Sequence, residues 1–362
     1  MPHTDLPPPQ MLRAWGLAGA RVSPLGSGLI NGTWLVEADG RRLVMQHVNP
    51  IFAPAVNDDI RVVTAHLRSK GLVTPELLPA ADGNYWQLHE GGTWRLMTWV
   101  AGISHERLAT VAQAQAAGAL LATFHRALAD CRHEFRHARA GVHDTARHLA
   151  NLRRALAEHR NHPQYAAVQP LAGEILDLAA GLEPLPVLPE RLVHGDPKIN
   201  NILFDPATDR ALCLIDLDTL GRMPLPLELG DAFRSWCNPR GEDDQRSAFS
   251  LELFRGAVAG YAAGATGWIT PAECQAIVPG TLTIYVELAA RFCADALNES
   301  YFGWDASRYP SRSAHNQLRA ASQLAAARSL LDMRGAAEEV VRSVFGAVAE
   351  AGIGPRGPDP VP

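Results

Sequence analysis

The stretch LVHGDPKINNILF at 192–204, with ALCLIDLD at 211–218 behind it, decides the fold. Between them DPATDR (205–210) is a turn-rich connector, so Ile202 to Phe204 and Leu212 to Ile215 are expected to pair as an antiparallel hairpin. The open end of that hairpin sets Asn201 beside Asp216. A carboxylate next to an amide oxygen suits magnesium, which prefers one or two carboxylates plus phosphate oxygens to a full protein cage. Asp196 lies in a loop framed by Gly195 and Pro197, near the same cation, and is the candidate general base toward a weakly acidic alcohol. Lys198 is placed to reach a transferring phosphoryl oxygen. A lone aspartate in a loop is ordinarily a turn or cap residue; the joint pattern H-G-D-x-K-x-x-N, hairpin, I-D-x-D is what points to chemistry. His194 is expected to be architectural, bonding the loop rather than shuttling protons.

Upstream of this region EPLPVLPE (183–190) cannot continue a helix, because each proline removes a donor and restricts the residue before it. Before it lie alanine- and leucine-rich segments with apolar residues at helical spacing (Leu108, Val111, Leu120, Leu121, Phe124, Leu128), continuing over 144–160 and 170–182. The first hundred residues read differently. TWLVEADGRRLVMQHV carries an Asp-Gly pair between two alternating runs, a hairpin signal, and NYWQLHE and TWRLMTWV are strand-like, with one helix over about 56–70. Helices resume after the motif to about 350. The expected architecture is α+β in two lobes: an N-lobe of 1–100 with a small antiparallel sheet, a larger helical C-lobe of 101–350, and a disordered Pro/Gly-rich tail of 351–362.

With 362 residues, 47% of them hydrophobic and 20% charged, the chain can bury a large core and exceeds the size at which one core stops growing. A formal net charge of -5 gives no electrostatic footprint for nucleic acid, and a small-molecule partner is expected instead. The five cysteines form no CxxC pair, so reduced, buried thiols are expected. The start MPHTDLPPPQ lacks the form of a secretory signal, and the most apolar segment, 279–297, is broken by Glu287 and Arg291; neither export nor a membrane partner is expected, and a cytoplasmic location follows. No feature specifies an oligomeric state. Only Lys70 and Lys198 are lysines, and neither follows the glycine pattern of a P-loop.

HGDPKINN followed by LIDLD resembles the catalytic and metal loops of the aminoglycoside phosphotransferase and choline kinase superfamily, which shares its two-lobed fold with protein kinases. The resemblance implies ATP and Mg2+ as cofactors, with Asp196 as base, Asn201 and Asp216 on the metal, and Asp218 as a second metal or substrate contact. GSGLINGTW (26–34) resembles a glycine-rich loop over phosphates, implying backbone contacts from Gly26, Ser27 and Gly28, although such a loop is also an ordinary hairpin turn. RLMTWVAG (95–102) resembles the hinge between lobes, implying that backbone groups near Thr98 and Val100 meet the adenine edge. One position departs from the pattern. Where kinases carry a lysine on the third strand, RRLVMQHV offers Gln46, so either Gln46 with a nearby arginine does this work or the nucleotide sits differently.

Further stretches, INGTW, LVMQHVN with its glutamine, IDLDT, LGDAFR, and ARF through SYFGW to HNQLRAASQ, resemble bacterial N-acetylhexosamine 1-kinases in order and spacing. That implies a sugar substrate lined by Asp231, Arg234, Arg291 and Tyr301. Asp231 and Arg234 are equally able to cap and pair at a helix start, whereas an arginine at 291 on an apolar helix wants a buried polar partner. Two alternatives stand beside the sugar: a cationic alcohol of aminoglycoside or choline type, for which Glu242, Asp243 and Asp244 are the available acidic run, and a nucleotide-binding pseudokinase.

Overall fold

Asp39 and Gly40 both take positive φ, 49° and 72°, which is what a two-residue turn needs to match the twist of the strands it joins. Those strands are β2 (Gly32–Ala38) and β3 (Arg41–Val48), paired antiparallel with Trp34 opposite Met45. With β1 (Arg21–Pro24), β4 (Gln87–His89) and β5 (Gly92–Thr98) they form one sheet in the order β1-β2-β3-β5-β4. The computed structural model describes residues 6–26, 30–136 and 142–352.

Side chains alternate across this sheet. Trp34, Val36, Leu43, Met45, Trp94 and Leu96 point one way and bury against Met11 and Leu17, around the short helix α1 (Pro9–Ala14). Met97 belongs to the opposite core, with Ile60, Val63 and Leu67 of α2 (Val56–Ser69). Among the described residues the N-lobe therefore has two helices, one more than expected. α1 is only six residues long and opens with a proline at its first turn, a start signal easily lost in the run of prolines before it.

The C-lobe is helical. α3 (Val111–Leu128) begins in a capping box, with Thr110 Oγ1 accepting from the Gln113 N–H while the Gln113 side chain accepts from the Thr110 N–H. It packs on α7 (Leu251–Ala265) so closely that a Cβ on Gly260 would lie 1.9 Å from the Gln115 carbonyl oxygen. α4 (Thr145–Glu158) matches the expected helical segment, but α5 (Tyr165–Ala180) begins earlier than 170 and runs through Pro170, giving up one backbone bond. α9 (Ile277–Asn298) is long and apolar enough to cross a membrane by composition, yet 83% of its most apolar window is buried inside the protein. It is a core helix, packed by α4, α5, α6 (Leu225–Trp236) and α10 (Arg312–Asp332). α8 (Pro271–Gln275) precedes it and α11 (Arg334–Gly352) closes the described chain. The expected disordered tail falls, from 353 on, outside the described residues. All five cysteines are free, and only Cys274 is less than fully buried.

Two small ribbons carry the motif. β6 (Glu190–Val193) pairs with β9 (Gly221–Pro224), and β7 (Ile202–Phe204) pairs with β8 (Ala211–Leu214), Ile202 opposite Leu214. Beyond the hinge, Ile103 and Phe204 exchange backbone bonds of 2.9 and 2.7 Å, joining the start of the C-lobe to the β7–β8 hairpin.

Candidate active site

The loop from His194 to Asn201 is held from beneath. Glu228, a fully buried residue of α6, accepts the backbone N–H of His194 at 3.0 Å and of Gly195 at 2.9 Å. Burial pushes its carboxyl up, but the His125 side chain, with Nε2 3.4 Å away, and these amides hold it below the usual range. Gly195 has φ +85°, and a Cβ there would lie 2.1 Å from the Thr219 carbonyl oxygen, so the position admits only glycine. His194 Nδ1 accepts from the Asp196 N–H at 3.3 Å and its Nε2 reaches the Ile215 carbonyl at 2.9 Å, which is the architectural role expected of it. Ser235 Oγ accepts the Ile199 N–H and Trp236 Nε1 donates to the Pro197 carbonyl. Four residues of one loop are thus fixed by side chains of α6.

On this support the expected trio converges. Asn201 Nδ2 donates to the Asp196 carbonyl at 2.8 Å and to its Oδ2 at 3.2 Å, which leaves the Asn201 amide oxygen free of that bond. The Ile215 N–H donates to the Asn201 carbonyl at 2.8 Å, bringing the residue before Asp216 alongside, as the hairpin requires. Asp216 sits in the left-handed region (φ 63°, ψ 60°) and its carboxylate receives no hydrogen bond among the described residues. Burial raises its pKa, and the negative charge of Asp218 adds to this. Lys198 Nζ donates to Asp196 Oδ2 at 2.6 Å. Burial opposes both charges, but the Lys198 ammonium beside Asp196 holds that carboxyl below the usual range, and Asp196 with Asp216 holds Lys198 above its own.

A carboxylate that receives no hydrogen bond, beside a free amide oxygen, fits a hard cation. Among the described residues no group of three or more His, Cys, Asp or Glu could hold a metal, so a cation here would complete its shell with phosphate oxygens and water.

Asp218, expected at the metal, is turned elsewhere. It is buried against the N-lobe, where Arg95 donates to both its oxygens at 2.5 and 2.9 Å and Asn31 Nδ2 donates at 2.7 Å. Gln46 lies opposite Arg95 in the β3–β5 register and accepts from its Nε at 2.8 Å. Gly26 has φ +74° at the start of its loop, and Ser27 and Gly28 lie outside the described residues. At the hinge the Thr98 N–H is already given to the Glu76 carbonyl at 2.9 Å, so Thr98 has no N–H for an adenine edge; Val100 makes no backbone hydrogen bond among the described residues.

The residues expected at the substrate fall in two groups. Arg234 Nε donates to Asp231 at 2.8 Å within α6, the pairing their spacing allows, and Arg234 also bonds Glu242. The fields of Arg234 and Asp231 reach Asp196 and Lys198, respectively. On α9, Arg291 lies 3.7 Å from Glu287 and has its guanidinium 5.8 and 5.6 Å from the ring centres of Tyr301 and Phe302. Two supports were not evident from sequence. Glu287, fully buried, binds His143 Nδ1 at 3.0 Å and Thr145 Oγ1 at 2.8 Å, and Asp295 accepts the N–H groups of Ser300, Tyr301 and Phe302, fixing the turn that presents Tyr301.

The sequence model of the phosphotransferase enzyme family (APH) matches residues 21–266, more than half of the chain and the loops that carry Asp196, Asn201 and Asp216. The chain belongs to this family. Among solved structures, the phosphotransferase is similar to the microcompartment-associated aminopropanol kinase (TM-score 0.60, 20% identity, 90% of this chain and 97% of that one). It is also similar to an aminoglycoside phosphotransferase from Alicyclobacillus acidocaldarius (TM-score 0.59, 18% identity, 96% and 98%). A choline/ethanolamine kinase family protein from Mesorhizobium loti matches too (TM-score 0.54, 16% identity, 92% and 97%). At these identities the likeness is one of fold: a sheet-built N-terminal part and a helical remainder, as in protein-kinase-like phosphotransferases. The chain is a phosphotransferase with this fold.

Proposed function

We propose that this phosphotransferase moves the γ-phosphate of ATP to a hydroxyl of a neutral sugar, the anomeric hydroxyl of an N-acetylhexosamine. One observation carries the choice of a neutral acceptor: the acidic side chains on the acceptor side already have partners. Asp231 and Glu242 share Arg234; Asp243 faces His315 at 3.0 Å and Arg319 at 3.3 Å; Asp244 lies 3.4 Å from Arg246; Glu287 bonds His143. An aminoglycoside-type polycation needs free carboxylates and a choline-type cation needs open aromatic faces, which here already meet the Arg291 guanidinium, whereas a sugar needs planar polar groups beside an aromatic face. Arg291 with Tyr301 and Phe302 supplies such a surface. The resemblance of INGTW, IDLDT and LGDAFR to N-acetylhexosamine kinases supports the finer choice.

In this reading Asp196 orients the acceptor hydroxyl and takes its proton as the new O–P bond forms; a carboxylate held this acidic acts late, when the oxygen has already lost electron density to phosphorus. Lys198 holds a positive charge beside the transferring group. Asn201 and Asp216 would hold magnesium, whose charge would neutralise the phosphates. Five free thiols, four of them buried, accord with a cytoplasmic setting.

The test is ADP release with ATP, magnesium and a panel of free sugars, aminoglycosides, choline and amino alcohols. Turnover is expected with an N-acetylhexosamine, and Arg291→Ala should raise the KM for it with little change in the KM for ATP. Absence of turnover with every sugar sinks this reading.

A further inference from the structure

β3 carries Gln46 where a lysine is expected, and the positive charge is found one strand away. Arg95 is 1% exposed, and its guanidinium is engaged on every nitrogen: Nε on Gln46 at 2.8 Å, Nη1 on Asn57 at 3.2 Å and Asp218 at 2.5 Å, Nη2 on Asp218 at 2.9 Å. Asn31, which donates to the same carboxylate, is itself fixed by the Asn49 N–H at 2.8 Å. β3, β5, α2 and the approach to β2 thus all converge on Asp218, two residues past Asp216.

We propose that Arg95 is a positioning residue for the metal loop: by gripping both oxygens of Asp218 it fixes the turn that presents Asp216 and keeps the Asp218 carboxylate out of the cation's shell. The role follows from three features. Asp216 is a non-glycine residue in the left-handed region, a conformation that persists only when its surroundings over-determine it. One side of it is held by the Ile215 to Asn201 backbone bond, and the Arg95 fork holds the other. Two parallel N–H bonds to one carboxylate require the planar fork of arginine, which an ammonium on a flexible stem does not offer. Finally, two carboxylates so close in sequence would both attract a cation. Pairing one with a guanidinium leaves Asp216 as the open ligand.

Arg95 therefore ties the N-lobe sheet to the metal loop and is not a hand on the phosphates. This inference rests on phosphoryl transfer at the site, not on the acceptor being a sugar, and its main measurements need no acceptor. ATP binding and its magnesium dependence are measured by calorimetry on the full chain for Arg95→Gln, Asp218→Asn and the two combined. Turnover is followed with the best acceptor found or, without one, as slow ATP hydrolysis. Each single change is expected to lower kcat about 10- to 100-fold, and the double change no further than the worse single one, because both break one interaction. ATP affinity should stay within about 3-fold of the starting protein, while half-saturating magnesium should move in the same direction and by a similar factor in Arg95→Gln and Asp218→Asn, because both loosen the turn that presents Asp216. An ATP affinity reduced about 10-fold or more by Arg95→Gln would make Arg95 a phosphate ligand. A rise of about 10-fold or more in the magnesium requirement of Asp218→Asn that Arg95→Gln does not share would make Asp218 a metal ligand, and losses that multiply in the double variant would make the two residues independent. Each of these overturns the proposal. Arg95→Met with Asp218→Leu guards against misfolding, since an apolar pair of similar volume commonly replaces a buried ion pair without loss of stability. It should fold and remain slow; full turnover would show that the pair merely fills space.

Discussion

The Glu228 carboxylate accepts the backbone N–H of Gly195 at 2.9 Å, binding a helix of the C-lobe to the residue just before the candidate base. Removing it leaves two buried amides without an acceptor and leaves the His125 side chain without its anion. Glu228→Ala is expected to destabilise the protein by about 3–5 kcal/mol, as for one half of a broken buried pair, and to lower kcat through the displaced loop. Denaturant unfolding and steady-state kinetics measure the two effects, and a loss below about 1 kcal/mol would deny Glu228 this supporting role.

Asp196→Asn keeps the size of the side chain and removes its charge. The bond from Lys198 at 2.6 Å then weakens and the acceptor proton has no anion to receive it. Turnover should fall about 10²- to 10⁴-fold while ATP affinity changes little. A large loss of ATP binding would instead make Asp196 a metal or structural residue.

Asp216 illustrates the opposition of stability and activity. Its folded-state pKa is raised by burial and by Asp218, so the folded protein holds that proton more tightly than the unfolded chain does. The residue's effect on stability is therefore least unfavourable at low pH and worsens as the pH rises through the raised value. Without metal at neutral pH, Asp216→Asn should melt no lower than the starting protein and up to a few degrees higher, as expected of about 1 kcal/mol, while turnover is abolished. Thermal melts with and without magnesium and ATP check both halves. Protons and magnesium should also compete, so half-saturating magnesium rises as the pH falls.

The pair of His143 and Glu287 stabilises the fold where Asp216 does not, and each partner has its own pH signature. Burial opposes both charges, yet their hydrogen bond raises the His143 pKa and lowers that of Glu287. The histidine's contribution is complete below its ordinary value and is lost as the pH rises through the raised one; the glutamate's is lost as the pH falls through its depressed one. The stability gap between the protein and His143→Gln should be widest near about pH 6 and close at alkaline pH. Unfolding measured across pH tests this, and a gap that widened with alkali would contradict the ion pair.

The parts legible in the sequence are those whose signals are local. The Asp39-Gly40 turn names its own hairpin, and HGDPKINN with IDLD sets Asp196, Asn201 and Asp216 together because a short connector leaves the chain one way to return. Other parts depend on residues far apart. Glu228 lies in PLPLELGD, where nothing nearby shows that it serves a loop 33 residues earlier, and the Arg95 to Asp218 pair spans 123 residues. β9 (GRMP) has no strand-like composition and forms only because β6 is there to pair with it. The start of α5 was obscured by Pro170, which reads as a beginning and is tolerated as an interior residue. Of the backbone groups expected near Thr98 and Val100 at the adenine edge, the sequence does not show that the Thr98 N–H is given to the distant Glu76 carbonyl.

The reciprocal backbone bonds between Ile103 and Phe204 have a mechanical corollary. They weld the far side of the hinge to the hairpin that carries the metal loop, while Thr98 is welded to Glu76 on the near side. A change of angle between the two lobes therefore has to bend residues 99–102 and also break the buried Arg95 to Asp218 pair on the other side of the cleft. Four residues supply the bend, and that pair is the latch that resists it.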